Sequence, residues 1–340
     1  MKSLSPDAPQ RVGPVAGLAA LMAELGSDPD AACRSVGICV DDLDPDNRLP
    51  FALIVQLLDR SAQLAGCPHL GLLLGMRYDH RSLGVVGALM SHAPTLSVAL
   101  DDFVGSQISN SRGAVVYLHR LGTDYALGYG IYDRQLPGAS QIYDLGLAIG
   151  CNLVRTLTNG RFWPTEVLIG HSPSDDIRPY AEFFKVPIRF NQNQSCVIIS
   201  GEALTAKVED ADTGERRRIL DQVRELMRLE LGGWAARVRH RIRPALLEGL
   251  PSMPSIADQL GLHPKALARL LSREGTTFRS LLADVRGVTA RELLATTDLP
   301  IGDIAAALAY ANHGAFVHAF RQWTGVSPST WRQATMAISR

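Results

Sequence analysis

The spacing of apolar residues changes period several times along this chain. Residues 51–66, FALIVQLLDRSAQLAG, repeat apolar positions every three or four residues and stop at Gly66, which predicts a helix. Residues 95–108, TLSVALDDFVGSQI, follow Pro94 and carry the same period. The period then falls to two. AVVYLHR (114–120) and DYALGYGIYD (124–133) are rich in β-branched and aromatic residues, and a hairpin-length connection separates them. Helical spacing returns over 141–157, and EVLIGH (166–171), VPIRF (186–190) and SCVIIS (195–200) read as further strands. This succession predicts an α+β unit with a mostly antiparallel sheet over residues 1–211. Residues 212–233 place Ile219, Leu220, Val223, Leu226 and Met227 on one helical face and end at Gly232 and Gly233. Past that point every segment reads as helix, broken at Pro251, Pro254, Gly275 and Gly325. A helical linker over 212–235 and an all-α unit over 236–334 are expected.

The all-α unit repeats itself at a separation of about 48 residues. Ile256 and Ala257 match Ile304 and Ala305, Leu260 matches Leu308, and Gly261 with Leu262 falls where Ala309 and Tyr310 fall. Leu267 and Leu271 match Phe316 and Phe320 after one extra residue, and Gly275 matches Gly325. Each copy is a short helix, a turn and a longer helix. This predicts two helix-turn-helix motifs, near 254–275 and 301–325, whose second helices can enter a DNA major groove. A linker helix near 278–296 would be about 27 Å long, enough to hold two recognition helices near one DNA turn apart.

On the first recognition helix Leu267, Leu270 and Leu271 share a face. Lys265, Arg269 and Arg273 follow at four-residue steps on the side opposite Leu267. Arginine can bond bidentately to guanine, and lysine can reach bases or phosphates. An ordinary solvated basic face is the other reading of such a stripe. On the second helix Phe316, Phe320 and Trp323 point inward, Asn312 can cap the N-terminus, and His313 sits on the first turn. Gly314 and His318 lie opposite Phe316, and the missing side chain at Gly314 would let backbone approach DNA closely. With His263 and Arg321 these residues form the candidate DNA-binding set. His313 and His318 are five residues apart, about 140° around a helix, which is poor for a shared metal. The last cysteine, Cys196, lies in the other unit, so no metal site is expected.

The net charge of zero conceals an uneven distribution. Residues 232–340 hold 13 Lys and Arg against 7 Asp and Glu, and residues 1–231 hold 21 against 27. A basic back half suits a polyanion, with chance surface variation as the alternative. No apolar run approaches a membrane span, and the N-terminal patch, interrupted by Glu24, reads as an amphipathic helix rather than a signal peptide. The five scattered cysteines form no CxxC pair and fit a reducing, cytoplasmic setting. No GxSxG, HExxH or glycine-rich phosphate loop is present, so neither an enzyme nor a cofactor is expected.

The C-terminal hundred residues resemble the DNA-binding domain of AraC/XylS-type transcription regulators. The resemblance is carried by IADQLGLHPKALARLLSREGTTFRSLLADVR, ARELLATTDLPIGDIAAALAY and AFVHAFRQWTGVSPSTWR, and it covers roughly 236–333. The front part resembles the arabinose-binding-type effector domain of the branch that holds ornithine-utilisation regulators. LPFALIVQLLDRSAQLAGCPHLGLLLG, LGVVGALMSHAPTLSVALDDF and HSPSDDIRPYAEFFKVPIRFN carry that part. The resemblance implies double-stranded DNA and a small-molecule effector as partners, a homodimer, and, for an activator, contact with RNA polymerase. Two positions depart from the family pattern. Its second turn usually reads Gly-Phe, where this chain has Ala309 and Tyr310, and it often has arginine at His318. Alanine is tolerable in that turn if its φ stays negative. Lys265 and Arg269 are therefore preferred to His313 and His318 as base readers.

Effector-contacting candidates come from strand parity. Val115, Tyr117 and His119 share one face of their strand, and Tyr125, Leu127, Tyr129 and Ile131 share one face of the next. Tyr117, Tyr125, Tyr129, Tyr143, Trp163 and His171 are the candidate effector residues, with core packing as the other reading of each. The acidic front half reads first as solvated surface charge and, as the alternative, favours an amino acid or amine; the Ile219–Met227 face could dimerise. A constitutive DNA binder without effector, or an enzyme domain fused to a DNA-binding module, are the alternatives.

Overall fold

The structure, a computed structural model, describes residues 9–107, 110–131, 136, 138–192, 194–230, 233–248, 251–296 and 300–338. A short antiparallel ribbon of β1 (Pro9–Arg11) and β2 (Arg48–Pro50) precedes the main sheet. The period-two stretches form β3 (Ala114–Leu121) and β4 (Asp124–Ile131), an antiparallel hairpin that sets Leu121 opposite Asp124. Three more strands, β5 (Glu166–Leu168), β6 (Ile188–Arg189) and β7 (Ser195–Ser200), complete a sheet of order β3-β4-β7-β5-β6. Only the β5–β6 pair is parallel among the described strands, as the reading of a mostly antiparallel sheet requires.

Before the sheet come α1 (Leu18–Glu24), α2 (Pro29–Ser35), α3 (Phe51–Leu64), α4 (Leu70–Gly75), α5 (Val85–Ser91) and α6 (Leu96–Ser106). Between and after its strands lie α7 (Ala139–Leu157), α8 (Arg178–Phe184), α9 (Gly201–Leu204) and α10 (Thr213–Glu230). Nearly every turn of α7 is buried, and the helix lies against β4 and β7. Helix α4 presses on it so closely that a Cβ at Gly71 would sit 2.0 Å from the Gln141 carbonyl. The Gln141 side chain bridges them, accepting from the Gly71 N–H at 2.8 Å and donating to the Pro68 carbonyl at 2.8 Å. Helix α10 does not present its full apolar face to solvent. Ile219 and Val223 are buried against Leu89 of α5, and Arg216 grips Asp102 of α6 with contacts of 2.7 and 2.8 Å. The expected dimerisation face is thus largely spent inside this unit; Leu226 remains exposed.

The chain divides into two compact units, Met1–Met227 and Arg228–Arg340. The second contains α11 (Trp234–Glu248), α12 (Met253–Gln259), α13 (Pro264–Arg273), α14 (Phe278–Thr296), α15 (Ile301–Ala307), α16 (His313–Thr324) and α17 (Pro328–Ile338). It has two small cores. Val238, Ile242, Ile256, Leu267 and Leu271 gather around Leu281 and Val285 of α14, while Ile304, Leu308, Phe316 and Phe320 gather around Ala290 and Leu294 farther along the same helix. Both short helices end alike. After α12, Gly261 has φ +66°, its N–H bonds to the Asp258 carbonyl and that of Leu262 to the Ala257 carbonyl. After α15, Ala309 has φ +54°, its N–H bonds to Ala306 and that of Tyr310 to Ala305. These paired bonds close a Schellman turn, which demands left-handed backbone. The condition under which alanine is tolerable here, a negative φ, is not met: the turn geometry overrides the alanine preference.

Candidate nucleic-acid interface and buried cavity

Each recognition helix is fixed from below and left free above. Leu267 and Leu271 of α13 are completely buried, whereas Lys265, Arg269 and Arg273 are exposed along the opposite side. His263 is the N-cap: its Nδ1 accepts from the Lys265 N–H at 3.3 Å, so its ring is held at the start of the helix. Glu274, next to Arg273, is engaged elsewhere. Its carboxylate accepts from the Trp234 and Ala235 N–H groups at 2.6 and 2.9 Å, capping the N-terminus of α11. On α16, Asn312 accepts from the Ala315 N–H at 2.8 Å, and Phe316 and Phe320 are buried among Tyr310, Trp323 and Trp331. His313, Gly314, His318 and Arg321 are exposed. A Cβ at Gly314 would meet only the Asn312 side chain, at 3.4 Å, so internal packing does not require glycine there.

Sequence reasoning assigned no role to Arg286. This side chain of α14 donates to the Ala309 carbonyl at 2.8 Å and lies over the Tyr310 ring, 4.6 Å from its centre. Burial lowers its guanidinium pKa, opposed by the nearby Tyr310. It clamps the linker helix to the second turn through a backbone oxygen, which no residue pattern announces.

In the first unit the six effector candidates do not converge. Tyr117 crosses Gly128 on the sheet face away from α7 and donates to Gln194 at 3.0 Å. Trp163 donates to the Phe184 carbonyl at 2.5 Å. His171 contacts Asp144 at 2.8 Å through Nε2, with the Ser172 carbonyl 2.9 Å from Nδ1, and Tyr180 donates to the other Asp144 oxygen at 2.7 Å. Burial pushes the His171 pKa down, but the hydrogen bond and charge of Asp144 and the Ser172 carbonyl outweigh it, and the net shift is upward. Tyr125 packs on the core, and Tyr143 meets the Tyr129 ring edge-on at 6.0 Å.

Of the six, Tyr129 alone lines a cavity between α7 and the sheet, where about 70 Å³ is open to the centre of a water-sized sphere. Ile54, Phe103, Leu127, Ile142, Leu145 and Val197 supply apolar wall, and Gln10, Gln107, Asn110 and Ser111 form a polar end. Burial holds the Tyr129 phenol well above its ordinary pKa, helped by Tyr143, so it is neutral. Parity found Tyr129 because it pointed at the core; the amides escaped it because they lie outside the regular part of the sheet.

Among the described residues no helix is long and apolar enough to cross a membrane. Residues 26–208 match the family described as the N-terminal arabinose-binding domain of AraC transcription regulator, and residues 256–334 match a helix-turn-helix domain family. The chain is 30% identical over 332 residues to the ornithine utilization regulator of Pseudomonas aeruginosa, covering 92% of this chain and 93% of that protein. It is 26% identical over 325 residues to the HTH-type transcriptional regulator VirS of Mycobacterium tuberculosis, again covering 92% and 93%. The crystal structure of transcriptional regulator CdpR from Pseudomonas aeruginosa aligns with a TM-score of 0.42 at 25% identity, covering 78% of this chain and 87% of that one.

Proposed function

This chain belongs to the AraC family of DNA-binding transcription regulators, with an arabinose-binding-type N-terminal domain, and from that premise we propose that it reads two successive major-groove segments under the control of a small molecule. Residues 236–334 bind DNA, residues 1–211 hold the effector and dimerise, and 212–235 connect them. The observation that carries the reading is the pair of recognition helices, each with a buried apolar face beneath an exposed polar one. Lys265, Arg269 and Arg273 are the principal DNA contacts, with Arg269 reading a base. His313, Gly314, His318 and Arg321 approach the second segment, and His263 and Asn312 act chiefly as caps. The protein works as a cytoplasmic homodimer and, where it activates, meets RNA polymerase. The relatives' names support a regulator rather than an enzyme.

Sites selected from random duplexes provide the test. Arg269→Ala is expected to cost about 1–3 kcal/mol and to relax preference at one base pair. His318→Ala costs less. An equal loss on every duplex would show that Arg269 touches phosphate only, and the reverse order of the two variants would overturn the ranking. Ornithine, in the name of one relative, is the first amine to try as effector; the cavity argues for different chemistry.

A further inference from the structure

The cavity beside α7 differs from its surroundings in three respects, each tied to particular residues. Its lining contains no Asp, Glu, Lys, Arg or His among the described residues. An ammonium or carboxylate moved there would give up its hydration for apolar walls, at several kcal/mol per ion without a partner. Its polar end also holds two unmatched groups. Gln10, 8% exposed, donates through Nε2 to the Arg11 carbonyl at 3.0 Å, while its Oε1 has no hydrogen-bond partner among the described residues. Asn110, 5% exposed, has an Nδ2 in the same state. A buried orphan acceptor and a buried orphan donor each carry a desolvation penalty, which a ligand offering the complementary donor and acceptor would remove.

The third respect is the floor of the cavity. Gly146 and Gly150 are four residues apart on α7 and both line the space. Glycine inside a helix is destabilising relative to alanine, so two on one face need a reason. At Gly146 the reason is Tyr129, whose ring would lie 3.1 Å from a Cβ. At Gly150 packing supplies none: a Cβ would meet Val197 and Leu127 at an ordinary 3.7 and 3.8 Å. What the glycine preserves there is open space. That space is about half of a void that takes benzene.

We infer that this cavity is the effector site and that it takes a small, uncharged, mainly apolar molecule whose single polar head both donates and accepts a hydrogen bond. The inference rests on the effector-responsive reading above and replaces its amine with a neutral ligand. The head lies at the amide end, donating to Gln10 Oε1 and accepting from Asn110 Nδ2. The body lies along α7 over Gly146 and Gly150.

The test uses the full-length chain with ethanol and 1-propanol as probes, xenon as the headless analogue and ornithine as the charged one. Binding is followed by ligand-observed NMR and thermal shift, and the DNA affinity is measured with and without probe. The two alcohols bind at millimolar concentration and ornithine does not. Gln10→Met and Asn110→Leu each weaken the alcohols about tenfold while leaving xenon unchanged. Gly150→Ala raises the melting temperature of the free chain and weakens the alcohols and xenon together; because its methyl fits, this variant folds. Binding of ornithine without the alcohols would overturn the neutral class and leave small-molecule sensing standing. Probe binding indifferent to Gly150→Ala, or no binding of any probe, would overturn the site. Alcohol binding that obeys all three substitutions without altering DNA affinity would uphold the cavity's chemistry and remove the effector-responsive reading.

Discussion

The two turns of the DNA-binding unit offer an internal control for backbone strain. They share one geometry but hold different residues, Gly261 at φ +66° and Ala309 at φ +54°. A left-handed conformation costs an L-residue with a Cβ about 1–2 kcal/mol, and glycine escapes that cost. Glycine loses about 0.4–1 kcal/mol of the advantage through its freer unfolded chain. At position 261 nothing lies within 4 Å of an added Cβ, so only these two effects operate. Gly261→Ala should therefore destabilise by about 0.8 kcal/mol. At position 309 the methyl is half-buried against the core that holds Val285, and losing it forfeits about 0.4 kcal/mol. Ala309→Gly should therefore stabilise, but only by about 0.4 kcal/mol. The difference between the two magnitudes measures the methyl.

Urea unfolding of the full-length chain, followed by tryptophan fluorescence, checks this. Trp234, Trp323 and Trp331 report on the second unit, and Trp163→Phe silences the signal of the first. A clear destabilisation by Ala309→Gly, or a neutral Gly261→Ala, would refute the strain argument.

Two further expectations follow from contacts that the sequence did not reveal. Arg286→Ala removes a charged hydrogen bond and a cation–π contact, and should cost the second unit about 2 kcal/mol in the same unfolding assay, with Arg286→Lys recovering only part. For His171 the folded-state pKa is raised above the ordinary histidine value of about 6.5, so its contribution is complete below that value and fades as pH rises through the folded one. The first unit should melt at lower temperature at about pH 8 than at about pH 6, and Asp144→Asn should flatten that difference.

The helices and strands were legible because burial imposes a period on the residues that undergo it. Residues 278–296 read as one helix and form α14 with those ends, and the hairpin of β3 and β4 forms across the expected connection. The repeat also predicted equivalent turns at Gly261 and Ala309. Its limit was the sign of φ at Ala309, which is set by where the chain must go next rather than by alanine itself. The candidate effector residues show a different limit. Parity groups residues that share a face, but it did not tell Tyr117 from Tyr129 as a cavity residue, and it cannot show that Trp163 and His171 are committed to Phe184 and Asp144. Those partners are distant in sequence, and their pairing depends on how α7 and α8 are seated. The apolar face of α10 was read correctly as a face and wrongly as free, since Leu89 covers Ile219 and Val223.

The double core of the second unit limits how this protein can change. Helix α14 has 19 residues, with Leu281 and Val285 sunk in one core and Ala290 and Leu294 in the other. Adding or deleting one residue between them would rotate one core about 100° relative to the other, pulling Arg286 from Ala309 and turning one helix-turn-helix away from its alignment with the other. Only steps of a whole helical turn restore the facing, and each moves the heads about 5.4 Å apart, or roughly one and a half base pairs. On the proposed reading, the distance between the two stretches of DNA can therefore change only in coarse jumps, while the bases within each stretch can be retuned one exposed side chain at a time.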